Sequence, residues 1–96
     1  MAMELIPIED YCRHHHTEIT FIDALEDNGL IQIVYAETSR CIDTEQLEKL
    51  EKYTRLYNDL EVNIPGIEVI HTLLERVEAM QRHIQALESR LHFYRE

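Results

Sequence analysis

Glycine, proline, cysteine and positive charge are all scarce in this 96-residue chain. Two glycines, Gly29 and Gly66, cannot build a phosphate-cradling loop. There is no Gly-x-Ser-x-Gly motif and no histidine with an obvious nucleophile and orienting acid, so no enzyme is expected. Two cysteines, Cys12 and Cys41, make no disulfide framework and point to a reduced, cytoplasmic chain. No apolar run approaches the roughly 20 residues that a bilayer span needs. The opening residues have neither a cationic stretch nor an apolar one, so no secretory signal is expected. Nine Lys and Arg stand against nineteen Asp and Glu, for a net charge of −10. That balance disfavours nucleic acid and anionic membranes and favours basic partners.

What is present is enough for a core: 45% of residues are hydrophobic, which is inconsistent with disorder. The length allows one domain, or a small domain plus an extended helix. A first helix is predicted over Pro7–His15, with Pro7, Glu9 and Asp10 in its first turn and Ile8, Tyr11 and Cys12 facing inward. Thr17 is the expected cap of a second helix, whose Phe21, Ile22 and Leu25 have core spacing and which Gly29 ends in a left-handed conformation. A tight connection near His16–Thr17 makes the pair a helix-turn-helix. Ile31–Tyr35 reads as a strand, residues 36–39 as a loop and Arg40–Ile42 as a return strand. Asp43 and Gln46 have capping-box spacing for a third helix carrying Leu47, Leu50, Tyr53, Tyr57 and Leu60. Asn63 is the expected cap of a fourth helix, with Pro65 in its first turn.

The fourth helix has the most regular pattern. Ile70, Leu73, Val77, Met80, Ile84, Leu87, Leu91 and Tyr94 alternate steps of three and four, an a/d heptad seam. The apolar face is broad at Ile67–Leu74, as a globular core requires, and narrows from Met80 onward. A helix over Pro65–Glu96 would be roughly 48 Å long. The third helix is too short to cover it, so Met80, Ile84, Leu87, Leu91 and Tyr94 are assigned to a homodimer interface. The division expected is a winged helix-turn-helix domain over residues 1–62 and a coiled-coil dimerisation helix over 63–96.

The charge of the second helix conflicts with its shape. Thr17–Gly29 sits where a small regulator carries its DNA-reading helix, yet it contains Glu18, Asp23, Glu26 and Asp27 and no Lys or Arg. Binding to a duplex is driven by cations that displace condensed counterions, so this helix would repel DNA. Glu18, Ile22, Asp23, Glu26 and Asp27 are therefore the candidate partner-binding face, and a cationic protein is the expected ligand. Arg13 and Arg40 are too few to hold a duplex, and pair in this reading with Glu9 or Asp10 and with Glu37. Tyr11, Tyr35, Tyr53 and Tyr57 are assigned to core and half-buried packing. Cys12 and His16 share i, i+4 spacing beside His14 and His15, but two further ligands are not visible, so no metal and no cofactor is expected.

The order helix–turn–helix, hairpin wing, helix, long helix resembles MerR-type winged-helix regulators. Glu26-Asp27-Asn28-Gly29-Leu30-Ile31 resembles that family's Glu-x-x-Gly-Leu-Ile/Leu junction. Ser39-Arg40-Cys41-Ile42-Asp43-Thr44-Glu45-Gln46-Leu47 resembles its wing exit, with Ile42 in place of the common Tyr and Gln46 in place of the common Asp. In Phe21-Ile22-Asp23-Ala24-Leu25-Glu26 an Asp stands where the family's DNA-contacting Arg would be. Ile6-Pro7-Ile8-Glu9-Asp10-Tyr11-Cys12 and Leu60-Glu61-Val62-Asn63-Ile64-Pro65-Gly66-Ile67 look like the CbpM-type chaperone modulators. That resemblance implies a mainly α fold and an adaptor that binds the J-domain of a DnaJ/CbpA-like co-chaperone and inhibits its action on Hsp70. The alternative is a diverged MerR-type transcriptional regulator that still binds an operator; a third reading is a dimerisation module without a dedicated client.

Overall fold

The computed structural model describes residues 4–95. Their order is β1 (Leu5–Pro7), α1 (Ile8–His15), α2 (Ile19–Asp27), β2 (Val34–Ala36), β3 (Ser39–Asp43), a 3-10 turn (Thr44–Gln46), α3 (Leu47–Asp59) and α4 (Ile64–Arg95). The fold is mainly helical, with a three-stranded antiparallel sheet in the order β1-β3-β2. Residues 1–3 of the expected winged-helix domain and the last residue of the expected fourth helix, Glu96, lie outside the described residues.

The helix-turn-helix forms where expected, by a different device. His16 takes a left-handed φ of 53°, and the amides of His16 and Thr17 both donate to the Cys12 carbonyl. Thr17 is not the cap: α2 starts one residue later, with Glu18 in the cap position and no side-chain cap bond. A carboxylate there is favoured by the helix dipole. At the other end Gly29 has φ 72° and donates to the Glu26 carbonyl, while Leu30 donates to that of Leu25. This is a Schellman closure, which returns Leu30 and Ile31 to the core.

Two strand assignments change. β1 has no sequence signal beyond three residues, and Pro7 belongs to it, immediately before the first helical residue Ile8. β1 is held by pairing Leu5, Ile6 and Pro7 with Asp43, Ile42 and Cys41. The wing strand begins at Val34 and not at Ile31, because the backbone of Gln32 is occupied by a side chain. The Gln32 amide donates to Gln46 Oε1 at 2.8 Å, and Gln46 Nε2 donates to the Gln32 carbonyl at 2.9 Å. Gln46 is thereby diverted from the expected capping box. Only its other half is made, with Asp43 accepting from the Glu45 amide. The β-hairpin turns tightly at Glu37 (φ 54°) and Thr38, between the paired residues Ala36 and Ser39.

One core joins the parts. Ile22, Leu25, Ile42, Leu50 and Ile67 are fully buried, together with Ile8, Tyr11, Phe21 and Tyr53. Each such aliphatic side chain contributes roughly 1.5–3 kcal/mol relative to exposure. The first turns of α4 belong to this core through Ile67, after Asn63 Oδ1 accepts from the Gly66 amide as the expected cap. Thr54 donates to the Leu50 carbonyl, so the Tyr11 hydroxyl is the donor in its 2.7 Å bond to Thr54 Oγ1.

Tyr53 ties α3 to α4: its hydroxyl lies 2.9 Å from His71 Nδ1, and His71 Nε2 lies 3.3 Å from Glu75. Burial, and then the charge of Glu75, push the Tyr53 phenol up to about 12. The fold therefore favours the neutral phenol. Its contribution is complete below the ordinary value near 10 and is lost as the pH rises toward 12. Burial shifts Tyr11 in the same direction. Urea melts across this alkaline range should show falling stability, with a shallower fall in Tyr53→Phe, where Tyr11 alone remains of the pair.

Candidate functional site

Helical geometry divides α2 into two stripes. Phe21, Ile22 and Leu25 enter the core, while Ile19, Asp23 and Glu26 follow one another on the outer side. Ile22, assigned above to the binding face, is fully buried and reaches no surface partner. Its core spacing with Phe21 and Leu25 prevails, and Ile22 turns inward with them. The apolar residue on the acidic stripe is Ile19, 40% exposed and one turn before Asp23. The signal for it was present in the spacing 19–23–26.

The four carboxylates are not equivalent. Glu18 accepts a hydrogen bond from the Thr20 hydroxyl at 3.2 Å. Asp23 accepts from Arg40 Nη1 at 2.6 Å, across from β3. This corrects the expected pairing of Arg40 with Glu37. Glu37 is at the hairpin tip, whereas Arg40 lies directly opposite Tyr35 and projects toward α2. The bond to Asp23 holds the Arg40 guanidinium above its ordinary value. Glu26 is half-buried and Asp27 exposed, and no cation among the described residues pairs with either. Tyr35, expected as packing, is 67% exposed beside Arg40.

Charge is segregated along the chain. Residues 4–63 contain fourteen carboxylates and five Lys or Arg, whereas residues 64–95 contain four of each. The negative potential therefore belongs to the winged-helix half. The α2 stripe has no base, and the single Arg of the wing is committed to Asp23. A duplex approaching this face would meet no free cation on α2 or the hairpin.

The remaining candidates divide between packing and open surface. Cys12 is buried and its thiol is pushed up by burial, while His16 is exposed, so the two share no site. His15 stacks on Tyr11 at 4.2 Å and approaches Glu51 at 3.9 Å, and Arg13 approaches Asp10 at 3.8 Å. Among the described residues no three His, Cys, Asp or Glu side chains are grouped to hold a metal ion. Tyr57 stacks on Phe21 at 4.3 Å, joining α2 to α3. On α4 the seam is open along its length. Met80, Ile84, Leu87, Leu91 and Tyr94 are 63%, 51%, 48%, 52% and 78% exposed. No helix among the described residues is long and apolar enough to cross a membrane.

The Asp23–Arg40 bond has a measurable signature. In a thermal double-mutant cycle, Asp23→Asn and Arg40→Gln should be non-additive, with a coupling that shrinks as salt rises because both side chains are partly solvated.

Residues 6–89 match the family described as MerR HTH family regulatory protein. No curated protein and no solved structure matches the chain. With that match over most of its length and a winged helix-turn-helix leading into a long helix, the chain belongs to the MerR HTH family of regulatory proteins.

Proposed function

We propose that this protein is an adaptor that binds the J-domain of a DnaJ-like co-chaperone and inhibits its action on Hsp70. The observation that carries the reading is the sign of the charge on its helix-turn-helix. The position that a duplex reader fills with cations holds Ile19, Asp23, Glu26 and Asp27, and the half of the chain around it has nine more acids than bases. Complementary fields raise association rates and select among partners, so this surface favours a cationic protein over a polyanion. The likeness of residues 6–12 and 60–67 to chaperone modulators supports a J-domain as that protein. A J-domain presents a basic helix to Hsp70, and masking that helix would block stimulation. The same reading places the protein in the cytoplasm and needs no cofactor.

Titration of an isolated J-domain into the whole chain should give a complex that Asp27→Lys weakens and that salt weakens further, while a low-salt mobility shift should show no retained duplex. A chain that ignores the J-domain and retards duplex DNA would instead be an operator-binding regulator.

The adaptor reading includes a homodimer through α4. A narrow apolar seam some seven turns long, projecting from a small domain, is stabilised when a second copy covers it. Met80, Ile84, Leu87, Leu91 and Tyr94 form its outer part. In sedimentation the wild-type chain should run as a dimer and Leu87→Lys as a monomer. The melting of the winged-helix core should be retained, because Leu87 lies outside that core. A monomeric wild type at micromolar concentration would remove the dimer from the reading.

A further inference from the structure

We infer that the partner is gripped by two apolar anchors, Ile19 and Tyr35, set on either side of the Asp23–Arg40 pair, and that the segment gripped is a basic amphipathic helix. For the identity of the protein supplying that helix, the inference rests on the adaptor reading.

Charge alone does not account for a stable complex. Rim carboxylates steer and select, but affinity concentrates in a few desolvated apolar or aromatic contacts. With Ile22 in the core, the acidic stripe of α2 retains one apolar side chain, Ile19, directly before Asp23. A second lies across the wing. Tyr35 is paired with Arg40 in the β2–β3 register, so the two side chains stand on the same face of the hairpin. The 2.6 Å bond from Arg40 to Asp23 then joins that face to α2. Ile19, Asp23, Arg40 and Tyr35 are consequently successive neighbours over one continuous surface, with Glu26 and Asp27 beside it.

The ion pair gives the surface two properties. It holds wing and helix at a fixed spacing, so both anchors are in place before a partner arrives and little ordering is needed on binding. It also neutralises the centre and leaves at the edge the negative charge of Glu26 and Asp27, which no cation among the described residues pairs. A net-neutral centre flanked by two apolar anchors and edged by carboxylates is complementary to a helix with Leu- or Phe-type side chains along one face and Lys or Arg flanking them. Phosphates would find no free cation there. A tyrosine two-thirds exposed on wing strand β2 is consistent with a contact made outside the chain.

The test uses the full chain and two probes, an isolated J-domain and a synthetic Leu/Lys amphipathic helix. Ile19→Ser and Tyr35→Ser should each weaken binding by roughly ten-fold or more, the scale of an interface anchor. Leu60→Ser, an equally solvent-facing apolar change outside this surface, should stay within about two-fold of wild type. Circular dichroism melts should be alike for all three, since none of these residues is in the core. If the wild type binds the J-domain and both serine variants bind as well as wild type, the anchors are elsewhere and the inference is overturned. If the wild type ignores the J-domain, the adaptor reading falls separately. The helix probe then decides: loss in both serine variants upholds the surface, and no binding, or unaltered binding, overturns it.

Discussion

The register of β3 is the constraint on which the winged-helix half depends. This five-residue strand lies between β1 and β2, and its successive residues face opposite ways, so Arg40 and Ile42 share one face. Ile42, opposite Ile6, is fully buried in the core, while Arg40, opposite Tyr35, reaches Asp23 on α2. A slip of one residue would turn Arg40 and Ile42 together to the other face, breaking the bond to Asp23 and withdrawing Ile42 from the core at a cost of roughly 1.5–3 kcal/mol. Two neighbours with independent registers forbid that slip. The wing is thereby fixed relative to α2, and the outer surface of the helix-turn-helix has a defined shape.

That shape separates the architecture from the chemistry. Membership of the MerR HTH family accounts for the helix-turn-helix, the wing and the long helix, but not for the charge on them. The position of Asp23 illustrates the difference. It holds the site of a DNA-contacting base in the resemblance described above, yet here it accepts from the one Arg of the wing. A cation that would otherwise be available to phosphates is used internally, and the adjoining acids Glu26 and Asp27 have no cationic partner among the described residues. The scaffold that presents a helix to a groove can equally present it to a protein once the sign of its potential is changed.

Periodicity made the helices legible, because amphipathic spacing over eight or more residues integrates many small preferences. Ile8, Tyr11 and Cys12 on α1, Phe21, Ile22 and Leu25 on α2, and Leu50 and Tyr53 on α3 all face the core as their spacing requires. Gly29 and Asn63 were legible for a different reason: each performs a backbone task that few residue types do well. What escaped the sequence was non-local. Three-residue β1 exists only through pairing with β3, some thirty-five residues away, and Gln46 leaves its expected cap to bind the backbone of Gln32. The candidate face was legible in its charge but not in its anchor. Ile19 and Ile22 are both apolar at the head of α2, but only Ile22 has the i+3 spacing to Leu25 that takes it into the core, which leaves Ile19 outside.

The distribution of charge also bears on how two copies would meet. The acidic half has a surplus of nine negative charges, while the described part of α4 beyond it is balanced. A parallel pairing of two α4 helices would set the acidic halves side by side, within the roughly 8 Å over which charges interact at physiological salt. An antiparallel pairing moves them to opposite ends of a helix pair tens of ångströms long, where screening removes the repulsion. The seam itself accommodates this arrangement. Opposing copies can match Ile70 with Tyr94, Leu73 with Leu91, Val77 with Leu87 and Met80 with Ile84, leaving none of the eight seam residues without a partner. Electrostatics thus favour the antiparallel orientation in the proposed dimer, seam spacing permits it, and in it the two acidic helix-turn-helix surfaces would lie far apart.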